Sequence, residues 1–109
     1  MKRNTLIIIA GLMLSGAAAL AEDAGAVYER ECAKCHGNDG KGDTKMGRRS
    51  GAKDYTDPKV QDGVTDEAAF KAIKKGFTDK DGKTLMKPTE GVSDDDIKGL
   101  VAYMRKFRK

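Results

Sequence analysis

Apolar residues are unevenly spread along the 109-residue chain. One nearly continuous apolar run, Leu6 to Leu20, follows Lys2 and Arg3 and carries small residues at Ala19 and Ala21. This pattern reads as a secretory signal peptide, residues 1–21, cut between Ala21 and Glu22. An uncleaved anchor is the alternative, but the run is short beside the roughly 20 residues of a membrane helix. No cysteine lies near the cut, so no lipid is expected there.

Past Glu22 the pattern is helical but broken. Ala24 to Lys34 sets Val27 and Tyr28 near Glu31 and Cys32 on adjoining turns, and Gly25 inside it suggests close approach by another element. Gly37, Gly40, Gly42, Gly47 and Gly51 stand among charges and predict a loop, ordered if it wraps a bulky object. Asp54 to Gly63 predicts turn and loop, with Pro58 stopping any helix. Thr65 caps a short helix with Asp66 and Glu67 in its first turn, Phe70 and Ile73 on one face and Gly76 at its end. A loop from Phe77 to Gly91 holds the turn Asp81-Gly82 and Pro88.

The final helix has the clearest pattern. Ser93 caps it, Asp96 stands where a capping box wants an acid, and Val92 with Ile97 forms a staple. Ile97, Leu100, Val101 and Met104 make its stripe, with Tyr103 and Phe107 one turn apart beside it. Arg105, Lys106, Arg108 and Lys109 favour its C-terminal end. No alternating run competes as a strand and no repeat is present. The class is all-α.

Residues 22–109 are a single domain of 88 residues in which Val, Ile, Leu and Phe are sparse. Domains this small often need a disulfide, metal or cofactor. Charge adds little: 21 basic side chains oppose 17 acidic ones, and without Lys2 and Arg3 the net charge is only +2. The signs are interleaved, apart from a modest cluster at Lys45, Arg48, Arg49 and Lys53. Nothing supports a nucleic-acid partner.

Cys32-Ala33-Lys34-Cys35-His36 is the motif that decides the chemistry. It is the attachment pattern of c-type haem: two cysteines on one side of a helical turn bond one porphyrin, and the adjacent histidine reaches its iron. A tethered haem would also supply the missing apolar core. A thiol redox centre lacks its βαβ setting. A zinc site lacks further cysteine or histidine ligands. Because His36 is the only histidine, a sixth iron ligand must be another donor, or the site stays open. Met104 lies in a packing stripe, and Met46 lies only ten residues past His36. Met86, in a long loop restrained by Pro88, is the expected ligand from the opposite face.

The chain resembles the small single-haem class I c-type cytochromes of bacteria. The resemblance rests on Gly25 with Tyr28, on Cys32 to Gly37, on Thr84-Leu85-Met86-Lys87-Pro88, and on the Ile97–Phe107 helix with Val101-Ala102-Tyr103. It spans essentially all of residues 22–109. It implies a cytochrome c fold of about three to five short helices around one covalent haem c with iron. It also implies that the first and last helices cross beside a small residue. Gly25 takes that place, with Tyr28 and Tyr103 as aromatic partners. Relatives often place Gly-Pro some ten residues after the histidine, the proline carbonyl accepting the imidazole hydrogen bond. Gly47-Arg48 stands there instead, so a carbonyl near Met46 to Arg48 is expected to take that bond.

The function implied is one-electron transfer between exported, periplasmic redox proteins, with no bond of a substrate made or broken. Lys34, Lys45, Lys83 and Lys87 are candidates to ring the haem edge and attract acidic partner surfaces. Arg48, Arg49 and Tyr55 are candidate partners for the haem propionates. A monomer is the default, and the last helix leaves a dimer open. The competing function is a haem enzyme or gas sensor with an open or labile sixth site, for which no distal acid–base group is evident. A third reading makes the chain a dedicated electron-accepting subunit of one oxidoreductase.

Overall fold

The computed structural model describes residues 22–109, and residues 1–21, the segment expected to be a signal peptide, lie outside the described residues. Helix α1, Ala24–Glu31, begins where the Asp23 carboxylate accepts the Gly25 N–H at 2.8 Å. The chain kinks at Cys32 (φ −119°) and resumes as α2, Ala33–His36. Then follow α3 (Lys45–Ser50), α4 (Pro58–Asp62), α5 (Asp66–Lys75) and α6 (Asp94–Arg105). Between α5 and α6 lies a small antiparallel hairpin of β1 (Phe77–Thr78) and β2 (Thr84–Met86), which sets Phe77 opposite Met86.

The described part is helical, as the periodicity predicts, but three local expectations are corrected. The glycine-rich wrap contains α3, because the Thr44 hydroxyl accepts the Gly47 N–H at 2.8 Å and Gly51, at φ +73°, ends the helix. Pro58 does not stop a helix; it opens α4. At the first helical position its missing N–H costs nothing, and Asp57 caps the turn by accepting the Lys59 N–H at 2.9 Å. The loop after α5 contains a hairpin too short to show alternation.

The core lies where α1 crosses α6 and α6 packs on α5. Val27, Ile97 and Leu100 are its most deeply buried side chains. A Cβ on Gly25 would stand 3.4 Å from the Tyr103 ring, so the expected close crossing is present, with Gly99 of α6 facing Ala24 beside it. Tyr28 packs against Tyr103 and Phe107 at ring separations of 5.0 and 5.2 Å. Ser93 caps α6 through the Asp96 N–H at 3.1 Å. The return half of the capping box is not made: Asp96 Oδ1 is buried with no partner. Aspartate is one methylene short of the glutamate that normally reaches back.

At its other end α6 is latched to the α4–α5 connection. The Arg105 guanidinium donates to Gln61 O and Oε1, to the Val64 carbonyl and to Asp66. The Gln61 amide, buried with only 2% exposed, donates to the carbonyls of Tyr55 (2.8 Å) and Met104 (3.0 Å). This network holds the backbone of Tyr55 against the core.

Candidate functional site

Cys32, Cys35 and His36 share one turn. The Cys32 carbonyl accepts the N–H of Cys35 at 3.2 Å and of His36 at 3.0 Å, and both thiols are free. The turn is held from three directions. The Tyr28 hydroxyl donates to the Gly37 carbonyl at 2.6 Å, a buried bond from α1 to the residue after the histidine. The Gly42 N–H donates to the His36 carbonyl at 2.8 Å, folding the glycine-rich segment back over it. The Thr44 hydroxyl sits 2.9 Å from the Lys34 carbonyl and 2.8 Å from the Cys35 carbonyl. Gly47 adds the close approach that requires its lack of side chain, since a Cβ there would fall 2.1 Å from the Cys35 carbonyl oxygen.

The imidazole of His36 stacks on the Tyr55 ring with centroids 5.0 Å apart. Its Nδ1 is buried with no hydrogen-bond partner. A carbonyl near Met46 to Arg48 was the expected acceptor, but the Met46 and Gly47 carbonyls serve α3 itself. The Ser50 hydroxyl bonds both of them, and the Ala52 N–H bonds Gly47. A helix in place of a loop directs these two carbonyls along its axis toward its own C-terminal end.

Met86 lies half-buried on β2, on an element separate from His36. The end of α5 lies close against its backbone: a Cβ on Gly76, which sits at φ +81°, would fall 2.6 Å from the Met86 carbonyl and 2.9 Å from the Pro88 ring. Met104 is buried in the core, in line with a packing role, while Met46 on α3 is 38% exposed. Tyr55 is brought to His36. Arg48 is not brought to the imidazole by any bond; it is exposed and pairs with Asp43. Lys34, Lys45, Lys83 and Lys87 are all exposed.

A family model described as cytochrome c oxidase, cbb3-type, subunit III matches residues 19–104. The chain belongs to the c-type cytochromes. A search of the solved structures agrees. The KustC0563 c-type cytochrome is 30% identical with a TM-score of 0.69, the match covering 80% of this chain and 99% of that one. A tyrosine-to-phenylalanine mutant of Kustc0563 is 28% identical with a TM-score of 0.66, over 79% of this chain and 99% of that one. No curated protein matches the chain.

The residues of this cytochrome fit the covalent haem c that the family carries. Burial lowers the His36 pKa, which favours the neutral imidazole and leaves a nitrogen lone pair free for a metal. Burial, with Glu31 and Cys35 adding to it, pushes the Cys32 thiol up to about 11. A reactive disulfide-exchange cysteine is tuned the other way. Two free thiols and an imidazole thus lie together on one turn, the arrangement that covalent haem attachment requires.

Sequence reasoning missed the Thr44 hydroxyl, the Tyr28 hydroxyl bond and the Gln61–Arg105 latch. Thr44 had a readable signal, an N-cap residue ahead of Lys45 to Ser50, which the density of glycines concealed. Gln61 had none: a lone amide in a polar stretch looks solvated until the fold buries it.

Proposed function

We propose that this cytochrome is a one-electron carrier between exported redox proteins, with Cys32 and Cys35 as the residues that would tether its haem and His36 and Met86 as those that would bind its iron. The observation that carries the reading is the shared turn of two free thiols and a neutral, partner-less imidazole, built into a c-type cytochrome. Bound haem supplies reversible Fe(III)/Fe(II) chemistry, one electron in from a donor and one out to an acceptor. His36 gives a nitrogen donor from α2, and Met86 gives a soft sulfur from β2 that favours the reduced iron. Both residues sit on backbone held elsewhere, His36 by the bonds of Tyr28 and Gly42 and Met86 by the pairing of β2 with β1, so little would need to move when the charge changes.

Tyr55, stacked on His36, is the propionate partner best placed by its neighbours, while Arg48 is exposed and pairs with Asp43. Exposed Lys34, Lys45, Lys83 and Lys87 support docking on acidic partners. Export is supported by the leader pattern of residues 1–21, and no helix among the described residues is long and apolar enough to cross a membrane.

The ligand assignment is tested by the weak sulfur-to-iron band at the red end of the oxidised spectrum. Met86→Ala abolishes it, while Met46→Ala keeps it. The reverse result would move the ligand to Met46. The description of the matching family favours one variant of the reading, a dedicated electron-accepting subunit of an oxidase. The two variants separate by whether the native protein elutes alone or with a larger redox complex.

A further inference from the structure

Four carbonyls close the C-terminal end of a helix, and α2 is only four residues long, so all of them belong to the haem-binding turn. Two are satisfied by backbone: Ala33 by the Gly37 N–H and His36 by the Gly42 N–H, both at 2.8 Å. The other two, Lys34 and Cys35, meet a single side chain, the Thr44 hydroxyl, at 2.9 and 2.8 Å. That one hydroxyl proton is shared between two acceptors. The same oxygen accepts the Gly47 N–H at 2.8 Å, starting α3. Gly47 in turn lies against the Cys35 carbonyl with no space for a side chain.

From this accounting we infer that Thr44 is a positioning residue: its hydroxyl sets the direction in which α2 presents the His36 imidazole. Its hydrogen bonds go to neither thiol nor imidazole. It acts by locking the peptide groups on the N-terminal side of His36, while Gly42 and Tyr28 hold the carbonyls of His36 and Gly37. Without the hydroxyl, the Lys34 and Cys35 carbonyls lose their donor and α3 loses its cap, so the turn is held from one side fewer and the ring it carries shifts in direction. The inference rests on the reading of His36 as an iron ligand.

The test uses the oxidised, haem-loaded protein and proton NMR, in which the paramagnetically shifted haem methyl resonances report the orientation of the axial ligands. Thr44→Val, which keeps the shape and removes the hydroxyl, shifts the methyl pattern, and Thr44→Ser restores the parent pattern. Ser50→Ala is the control, since the Ser50 hydroxyl bonds α3 carbonyls and makes no hydrogen bond to α2. It leaves the methyls in place even if it weakens α3. A parent-like pattern in Thr44→Val, or equal shifts in Thr44→Ser and Thr44→Val, overturns the inference. Should Thr44→Val not fold, amide exchange in the parent decides: the Gly47 N–H exchanges as slowly as those of α6, and exchange at the rate of an exposed amide overturns it. If the parent itself lacks shifted His36 ring protons, the ligand assignment fails. A null result at Thr44 with those protons present sinks the positioning role alone.

Discussion

At the scale of single residues, Tyr28 does two things that its place in the sequence does not announce. Its ring fills the α1–α6 crossing, and its hydroxyl ties down Gly37. Burial, the largest cause, pushes its pKa well above the ordinary tyrosine value, with Cys32 and the other tyrosines adding to the effect. In the unfolded chain a tyrosine ionises near about 10. The Tyr28 contribution to stability is therefore whole below that pH and is lost as pH rises beyond it toward the raised folded value. Tyr28→Phe is expected to cost about 1 kcal/mol at neutral pH through the lost hydrogen bond. It should also push the onset of alkaline unfolding upward; unfolding curves against pH, followed by far-ultraviolet circular dichroism, check both. The chemistry of the haem turn was legible at this scale because five consecutive residues carry it. Tyr55 beside His36 was only partly so, since the chain returns to that point through long-range bonds such as Tyr55 N–H to the Gly40 carbonyl.

Elements with caps and an apolar stripe could be read directly, and those without could not. Helices α5 and α6 were legible because Thr65 and Ser93 mark their starts and Phe70, Ile73, Ile97 and Leu100 repeat at helical spacing. Helices α3 and α4 have five or six residues and almost no apolar face, so their existence rests on the caps Thr44 and Asp57 and on tertiary packing. The hairpin carries Met86, the proposed ligand. Gly76→Ala places a methyl group against the Met86 carbonyl in a left-handed backbone. The expected cost is about 1–3 kcal/mol in denaturant unfolding. The sulfur-to-iron band should weaken at lower denaturant than the loss of helix. Simultaneous loss of both signals would show that Gly76 supports the whole fold rather than the Met86 segment.

For the whole molecule, the decisive fact is how little apolar side chain the protein buries. Among the described residues the buried apolar set is Val27, Tyr28, Cys32, Ala69, Ile97, Leu100, Val101 and Met104. Two of these are a small alanine and a cysteine assigned to a tether. This shortage was visible in the sequence and pointed to a cofactor before any fold was known. The apoprotein made by Cys32→Ala with Cys35→Ala is expected to lose its sharp thermal transition, while the haem-loaded parent keeps one. Electron transfer to an acidic redox protein should slow as salt rises, whereas transfer to a small neutral oxidant should not. Rates with both acceptors across a salt series check the lysine ring.

The central claim is that one porphyrin is bonded through Cys32 and Cys35. It is tested most directly on protein exported from a host able to attach haem, by intact mass together with the reduced spectrum in alkaline pyridine. The account predicts a polypeptide heavier by one haem, not extractable by acidified solvent, with the spectrum of a porphyrin that has lost both vinyl groups. A folded protein of bare polypeptide mass, or a haem that extracts or retains a vinyl group, would contradict it.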